Sequence, residues 1–201
     1  MVKERKNVLD KEYRHELTKE EAKEMMDFLM VKFDDGKDYH YNYYFETCGK
    51  NKLADRNITL RLRTIVKEND ISYNLTLKIP AIDENTFLEY NERISEKEMR
   101  RLVYNNHLPD GEIKDLNSIH GGHVEKTKMI RTNRVYAPYK DIYVFFDQIS
   151  HRGKNHYEVG VRIDSSPNVT TDVSVEQFKD LLSEFNPVSY THLTLPTKRI
   201  V

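Results

Sequence analysis

The chain has 201 residues, with 32 Lys and Arg against 33 Asp and Glu, so its formal net charge is -1. This length suits one folded domain with an apolar core, and the near-neutral charge provides no overall basic field for nucleic-acid binding. No apolar run approaches the roughly 20 residues of a membrane helix, and the first residues lack the apolar segment of a secretory signal. The single cysteine, Cys48, excludes an internal disulfide, so we expect a reducing, cytoplasmic location.

Three helices are predicted, each from a capping residue followed by apolar residues at helical spacing. In each case a Ser or Thr is followed three residues later by Glu or Gln, which is the pattern of a capping box. The pairs that start the three helices are Thr18 with Glu21, Ser95 with Glu98, and Ser174 with Gln177.

Eight strands are predicted from apolar or alternating runs bounded by polar turns. The short links between them favour an α+β fold with a mostly antiparallel sheet, and no repeat or low-complexity linker divides the chain. The predicted strands are 8–17, 40–47, 57–67, 71–79, 87–94, 126–136, 142–148 and 157–163.

Residues 188–201 read VSYTHLTLPTKRIV. They resemble one reading frame of the transposon-end adapter used to prepare sequencing libraries. Such a segment is excluded from reasoning about the fold. We therefore expect a single domain over residues 1–187 and a non-native tail over 188–201, with a genuine edge strand as the alternative.

Charged side chains share one face of several predicted strands, because residues two apart on a strand point the same way. Arg61 and Arg63 alternate with leucines, and Lys78 ends a strand of the same pattern. Such a row could be the wet face of a half-buried sheet. However, neighbouring arginines would repel one another there, and acids and bases are sorted onto different strands. We therefore favour a closed barrel whose charged interior binds a polyanion with a metal ion.

Several short motifs follow one another in a defined order. They are Asp10-Lys11-Glu12-Tyr13-Arg14, Tyr44-Phe45-Glu46-Thr47, Arg61-Leu62-Arg63, Leu75-Thr76-Leu77-Lys78, an acidic strand at Glu89, an arginine strand, Phe145-Phe146-Asp147 and Tyr157-Glu158-Val159-Gly160-Val161-Arg162. The arginine is Arg134 by its spacing to Asp147, with Arg131 as the alternative. In this order, over residues 8–164, the motifs resemble the CYTH domain family, the triphosphate tunnel metalloenzymes.

The resemblance implies an α+β fold in which an eight-stranded antiparallel β-barrel forms a tunnel with helices packed outside. It also implies that the lumen binds a triphosphate and hydrolyses it with Mg²⁺ or Mn²⁺. The substrate would be inorganic tripolyphosphate or a nucleoside or thiamine triphosphate. We expect a small-molecule triphosphate or polyphosphate as partner, with no nucleic acid and no membrane, and the oligomeric state stays open.

The implied site combines cations that suit phosphate oxygens with carboxylates that suit hard divalent metal ions. The implied catalytic residues are Glu12, Lys78, Arg61 and Arg63. The implied phosphate ligands are Arg14, Arg61, Arg63, Lys78 and Arg134. The implied metal ligands are Asp10, Glu12, Glu89, Asp147 and Glu158.

Two positions depart from the family pattern. Gly160 and Arg162 stand where the family usually has two further acids, and this exchange favours anion binding over metal binding. A polyphosphate- or nucleotide-binding module without turnover is therefore the alternative to a hydrolase. A sheet-based protein-interaction domain is a third interpretation.

Two other features of the sequence do not indicate a functional site. The run His120-Gly121-Gly122-His123 lacks the Lys-Ser/Thr of a P-loop, so we expect a flexible connection there. Cys48 has no neighbouring catalytic histidine in the sequence and is expected to be a small buried residue.

Overall fold

The computed structural model describes residues 5–33, 38–50, 52–68, 70–80, 87–119, 122–163 and 171–185. Within these ranges it describes the side chains of all residues except 5–12, 162, 163 and 171–173. The elements are β1 (Arg5–Leu17), α1 (Lys19–Phe28), β2 (Asp38–Thr47), β3 (Thr59–Lys67), β4 (Asp70–Pro80), β5 (Phe87–Arg93), α2 (Glu96–Asn105), α3 (Glu112–Ile119), β6 (Val124–Tyr139), β7 (Ile142–His151), β8 (Lys154–Ile163) and α4 (Thr171–Phe185). The eight strands form an antiparallel sheet that, with the four helices, gives an α+β fold.

The chain divides into two compact units, of which the first contains Met1–Leu9 and Tyr39–Arg131. Its strands β2, β3, β4 and β5 pair antiparallel in sequence order. The apolar side chains of these strands pack with Leu102 of α2 and Ile113 of α3 in one core. The four central leucines of this core, each at most 1% exposed, are Leu60, Leu62, Leu75 and Leu77. Because side chains alternate along a strand, the residues between the leucines face the other way.

The second unit contains Asp10–Asp38 and Thr132–Val201. In it β8 pairs antiparallel with β1 on one side and with β7 on the other. Val144, Phe146 and Val159 pack in a core with apolar residues of α1 and α4. The opposite faces of these strands carry the charged residues of the second unit, including Asp147 and Glu158.

The predicted helix starts are confirmed for α1 and α2. Thr18 and Ser95 each accept a bond from the backbone three residues on, and Glu21 and Glu98 complete both capping boxes. The prediction for α4 is wrong in its start, because the helix begins at Thr171 and Ser174 lies buried inside it.

Helix α3 was not predicted, because its N-terminal cap comes from a distant strand. The buried carboxylate of Glu92 on β5 accepts the backbone N–H of Ile113 at 3.1 Å. A Cβ at Gly111 would lie 2.7 Å from Glu92 Oε1, so glycine leaves room for this carboxylate. No local capping signal marks such a helix in the sequence.

All eight predicted strands are confirmed, although most of them are longer than predicted. Strand β6 extends to Tyr139 and turns into β7 through Lys140 and Asp141, and Lys140 has a φ of 50°. Cys48 is exposed, which corrects the expectation that it is buried. No helix in the described ranges is long and apolar enough to cross a membrane. Residues 120 and 121 and the proposed tail, 188–201, lie outside the described residues.

Candidate functional site

Four charged residues of the first unit, Arg61, Arg63, Lys78 and Glu89, lie on one strand face, and we call them the basic row. The exposed Arg93 of β5 lies on the same face, in register with Asn74 and Arg63. The register places Lys78 opposite Glu89 on β5 and Arg61 opposite Thr76 on β4. The row therefore lies on the sheet face opposite the leucine core, as the alternation of β3 and β4 predicts.

Glu89 is the buried acid of this row, with only 5% of its surface exposed. Its Oε2 lies 2.7 Å from Lys78 Nζ. Burial opposes ionisation of this carboxyl, but Lys78, the charge of Arg61 and a bond from Asn91 outweigh it and lower the pKa of Glu89 to about 2. Glu89 is therefore a permanent anion at neutral pH.

A chain of hydrogen bonds fixes the second oxygen of Glu89. Thr76 donates its hydroxyl to Asn91 Oδ1 at 2.8 Å, and Asn91 Nδ2 donates to Glu89 Oε1 at 2.9 Å. Sequence reasoning did not single out Thr76 or Asn91. The signal was present in the strand alternation, since both residues fall on the charged face and pair directly across β4 and β5.

The two arginines of the basic row are held differently. Arg63 Nε donates to the fully buried Asn42 Oδ1 at 2.8 Å, so a neutral amide helps to orient the guanidinium group. Arg61 Nε is buried and has no hydrogen-bond partner among the described residues. An unsatisfied buried donor is costly, and a bound anion would satisfy it.

The charged face of the second unit carries what we call the arginine cluster. It consists of Arg14, Arg134, Asp147, Glu158 and the phenyl ring of Phe145. Asp147 is 1% exposed and accepts two bonds from Arg134, at 2.6 and 2.7 Å, and one from Arg14 at 3.1 Å. Arg14 also donates to Glu158 at 2.6 Å. Both carboxylates of this cluster are therefore engaged by guanidinium groups.

The ring of Phe145 contacts both arginines of the cluster. The guanidinium carbon lies 3.9 Å from the ring centroid for Arg134 and 4.9 Å for Arg14. Gly160 lies between Arg14 and Phe145 in the register of the three strands. A Cβ at Gly160 would be 2.6 Å from the Tyr13 carbonyl oxygen and would collide with the ring itself. The position has no room for any side chain, including the acid that the family pattern would place there.

Glu46 of the second motif has an organising role in the first unit. Its carboxylate accepts the backbone N–H groups of Thr47 at 2.8 Å, Leu53 at 2.5 Å and Ala54 at 3.1 Å. Burial opposes ionisation of Glu46, but these backbone bonds lower its pKa. Glu46 therefore holds the end of β2 to the middle of the connection between β2 and β3.

The structure thus brings predicted residues together within each unit. Arg61, Arg63, Lys78 and Glu89 share a strand face in the first unit, and Arg14, Arg134, Asp147 and Glu158 lie together in the second. Of the two arginines weighed for β6, Arg134 is buried and paired with Asp147, whereas Arg131 is exposed. The side chains of Asp10, Glu12 and Arg162 lie outside the described ones, so their predicted roles stay predictions.

Carboxylates that could hold a metal ion do not converge in the described part of the chain. No group of three or more His, Cys, Asp or Glu residues there is placed to hold a cation. Glu89, Asp147 and Glu158 each contact a lysine or an arginine instead.

The strands and helices define an α+β protein whose strands carry charged faces. The chain belongs to the CYTH domain family, whose model matches residues 4–188. None of the curated proteins matches the chain.

Solved structures share this fold. A candidate adenylate cyclase from Bacillus halodurans is 23% identical with a TM-score of 0.76, and the match covers 96% of this chain and 95% of that one. A candidate adenylyl cyclase from Hippeastrum, which is described as having a dominant triphosphatase activity, is 16% identical with a TM-score of 0.66. That match covers 91% of this chain and 92% of the Hippeastrum protein.

Proposed function

We propose that this protein is a divalent-metal-dependent triphosphatase, which binds its substrate on the inner face of a closed eight-stranded tunnel. Membership of the CYTH family supports triphosphate handling, and the Hippeastrum relative is a precedent for triphosphate hydrolysis on this fold. Inorganic tripolyphosphate, a nucleoside triphosphate or thiamine triphosphate would be the substrate.

The observation that carries the proposal is the buried Nε–H of Arg61 in the basic row, which has no hydrogen-bond partner among the described residues. Arg63 and Lys78 place two further cations on the same strand face. A triphosphate carries several negative charges, and guanidinium groups bind phosphate oxygens with paired N–H donors. Arg61, Arg63 and Lys78 would bind the phosphates and offset the charge that develops on the leaving phosphate.

Glu89 would act through its position and its charge. A carboxylate with a pKa of about 2 is a poor proton acceptor at neutral pH, so Glu89 is unsuited to be a general base. Its bonds to Lys78 and Asn91 fix the direction of the Lys78 ammonium. Thr76 and Asn91 would therefore orient the phosphate-binding lysine through Glu89.

Mg²⁺ or Mn²⁺ is the proposed cofactor, and when bound it would neutralise phosphate charge and help to orient the attacking water. Oxygen ligands suit these ions, but the described carboxylates do not form such a site by themselves. The proposal for a metal site therefore depends on Asp10 and Glu12 of β1, with Glu158 as a further ligand if it leaves Arg14.

A second function, polyphosphate or nucleotide binding without turnover, is favoured by a specific observation. Asp147 and Glu158 are both engaged by arginines, so the arginine cluster offers neither carboxylate freely to a metal ion. Such a protein would bind phosphates through the basic row and would release them unchanged.

One assay separates the two functions. Phosphate release from tripolyphosphate, ATP and thiamine triphosphate is measured with Mg²⁺, with Mn²⁺ and with EDTA, alongside calorimetric binding of tripolyphosphate. The proposal expects metal-dependent release from at least one substrate. Binding of tripolyphosphate without any release rejects the hydrolase and leaves the binding module. Neither binding nor release rejects both.

A further inference from the structure

Phe145 and Phe146 are adjacent phenyl rings on β7 that are buried to the same degree, 1% and 0% exposed. Phe146 packs in the apolar core with α1 and α4. Phe145 points to the charged face and contacts Arg134 and Arg14 through its ring. The two residues therefore have equal burial and different chemical surroundings.

The two guanidinium groups of the arginine cluster are held close together despite their like charge. Arg134 Nη2 and Arg14 Nη1 both donate to Asp147 Oδ2, at 2.7 and 3.1 Å. One carboxylate thus serves two cations, and the electron-rich ring of Phe145 supplies further attraction to both. The ring adds this attraction without adding an acceptor that would compete for the N–H groups.

The position of the ring depends on Gly160. Arg14, Gly160 and Phe145 lie in register on three neighbouring strands. Since a Cβ at Gly160 would collide with the ring, the ring occupies the space beside the β8 backbone that a side chain would need. The ring of Phe145 therefore packs directly against the β8 backbone at Gly160.

We propose that Phe145 is a positioning residue, which together with Asp147 sets Arg14 and Arg134 as a convergent pair for the oxygens of one phosphate group. This inference rests on the proposed function, because a triphosphate is the anion that the pair would bind. Pre-ordering two long side chains lowers the entropy cost of binding. Without the ring the two arginines would have to be ordered on binding, so loss of the ring is expected to weaken phosphate binding by roughly 3- to 30-fold.

The test compares Phe145→Leu with Phe146→Leu as a matched control. Each variant removes a fully buried phenyl ring from the same strand, so both are expected to lower the midpoint of urea unfolding. Only Phe145→Leu is expected to raise the dissociation constant for tripolyphosphate, measured by calorimetry on the full chain in EDTA. In an active preparation it is expected to raise KM while kcat stays within about twofold, since the ring touches no reacting atom. Equal weakening by both variants, or none by Phe145→Leu, overturns the inference.

A second measurement keeps this inference separate from the proposed function. The ring current of Phe145 is expected to shift the side-chain proton resonances of Arg14 and Arg134 upfield in the free protein, and Phe145→Leu is expected to abolish the shift. Absence of the shift from the wild-type spectrum overturns the positioning role, and this measurement is decisive even if the leucine variant fails to fold. If the shift is present but tripolyphosphate does not bind, the proposed function fails while the arrangement of the arginines stands.

Discussion

The arginines of the arginine cluster and those of the basic row differ in how they are paired. In the arginine cluster, Arg14 and Arg134 face two carboxylates, and the guanidinium groups are paired inside the protein. In the basic row, Lys78 is paired with Glu89, Arg63 donates to the neutral amide of Asn42, and Arg61 Nε has no hydrogen-bond partner among the described residues.

This difference predicts different effects on stability. A paired buried charge is costly to disturb, because removal of one partner leaves the other without compensation. Arg61 Nε has no hydrogen-bond partner among the described residues, so its replacement leaves no such partner behind. Substitutions in the cluster should therefore lower stability most, and replacement of Arg61 should act mainly on affinity.

The largest expected effect is on stability, in the arginine cluster. Asp147→Asn removes the charge that serves two guanidinium groups, and breaking a buried ion pair costs about 3 to 5 kcal/mol. The free energy of unfolding in urea measures this loss. The control is Asp180→Asn, which breaks the exposed pair with Lys140 on the surface of the same unit and should cost far less, because solvent screens an exposed pair. Similar losses of unfolding free energy in the two variants would show that the buried ion pairs of the arginine cluster contribute no more stability than an exposed pair.

The next effect is on affinity, in the basic row. Arg61→Ala is expected to weaken tripolyphosphate binding by about 10- to 100-fold, since hydrogen bonds to charged groups contribute about 1.5 to 3 kcal/mol. Its unfolding free energy should stay nearly unchanged, because Arg61 Nε has no hydrogen-bond partner among the described residues. Calorimetry and urea unfolding of the same preparation measure both quantities, with the exposed Arg100→Ala on α2 as control. An Arg61→Ala protein with unaltered affinity would exclude the row as the anion site.

Glu89 is expected to contribute about 2 kcal/mol to the free energy of unfolding in a pH-dependent way, in the range for hydrogen bonds to charged groups. Its folded pKa, about 2, is below the ordinary 4.5, so its ionised form stabilises the folded state. The stability difference between the wild type and Glu89→Gln should therefore be constant above pH 4.5 and disappear as the pH falls through about 2. Urea unfolding across this range measures the difference. A difference that grows toward acid pH would contradict the assigned sign.

The smallest effect concerns the hydrogen-bond chain behind Glu89. Thr76→Val keeps the shape of the side chain but removes the donor to Asn91, which should cost about 1 kcal/mol of stability. Thr64→Val on β3 is the matched control, since Thr64 is half-buried and makes no such bond in the described part of the chain. Equal losses of stability in the two valine variants would show that the hydrogen bonds from Thr76 through Asn91 do not hold Glu89 in place.

Strand alternation in the sequence predicted the basic row well. Arg61 and Arg63 alternate with leucines that must face the core, so their shared face follows from the period of the strand. Local capping pairs likewise predicted α1 and α2, because both partners of each cap lie within four residues. The motif order predicted the family, which the match over residues 4–188 confirms.

The sequence could not predict contacts that depend on distant partners. The expectation that Asp147 binds metal came from a motif, whereas its two arginine partners lie on β1 and β6 and are known only from the fold. Gly160 looked like a lost acid in the sequence, and the space it leaves is filled by Phe145 from another strand. Phe145 itself was assigned no role from the sequence, although the alternation of β7 places it on the same face as Asp147.

The cap that Glu92 provides to α3 has a consequence for the order in which the protein assembles. A helix of eight residues is too short to persist by itself in water, and its first turn is held by a carboxylate from β5. This helix can therefore form only after β5 has reached its place. Its amide protons should exchange with solvent only when the first unit opens. Hydrogen exchange at the Ile113 amide would therefore report that opening.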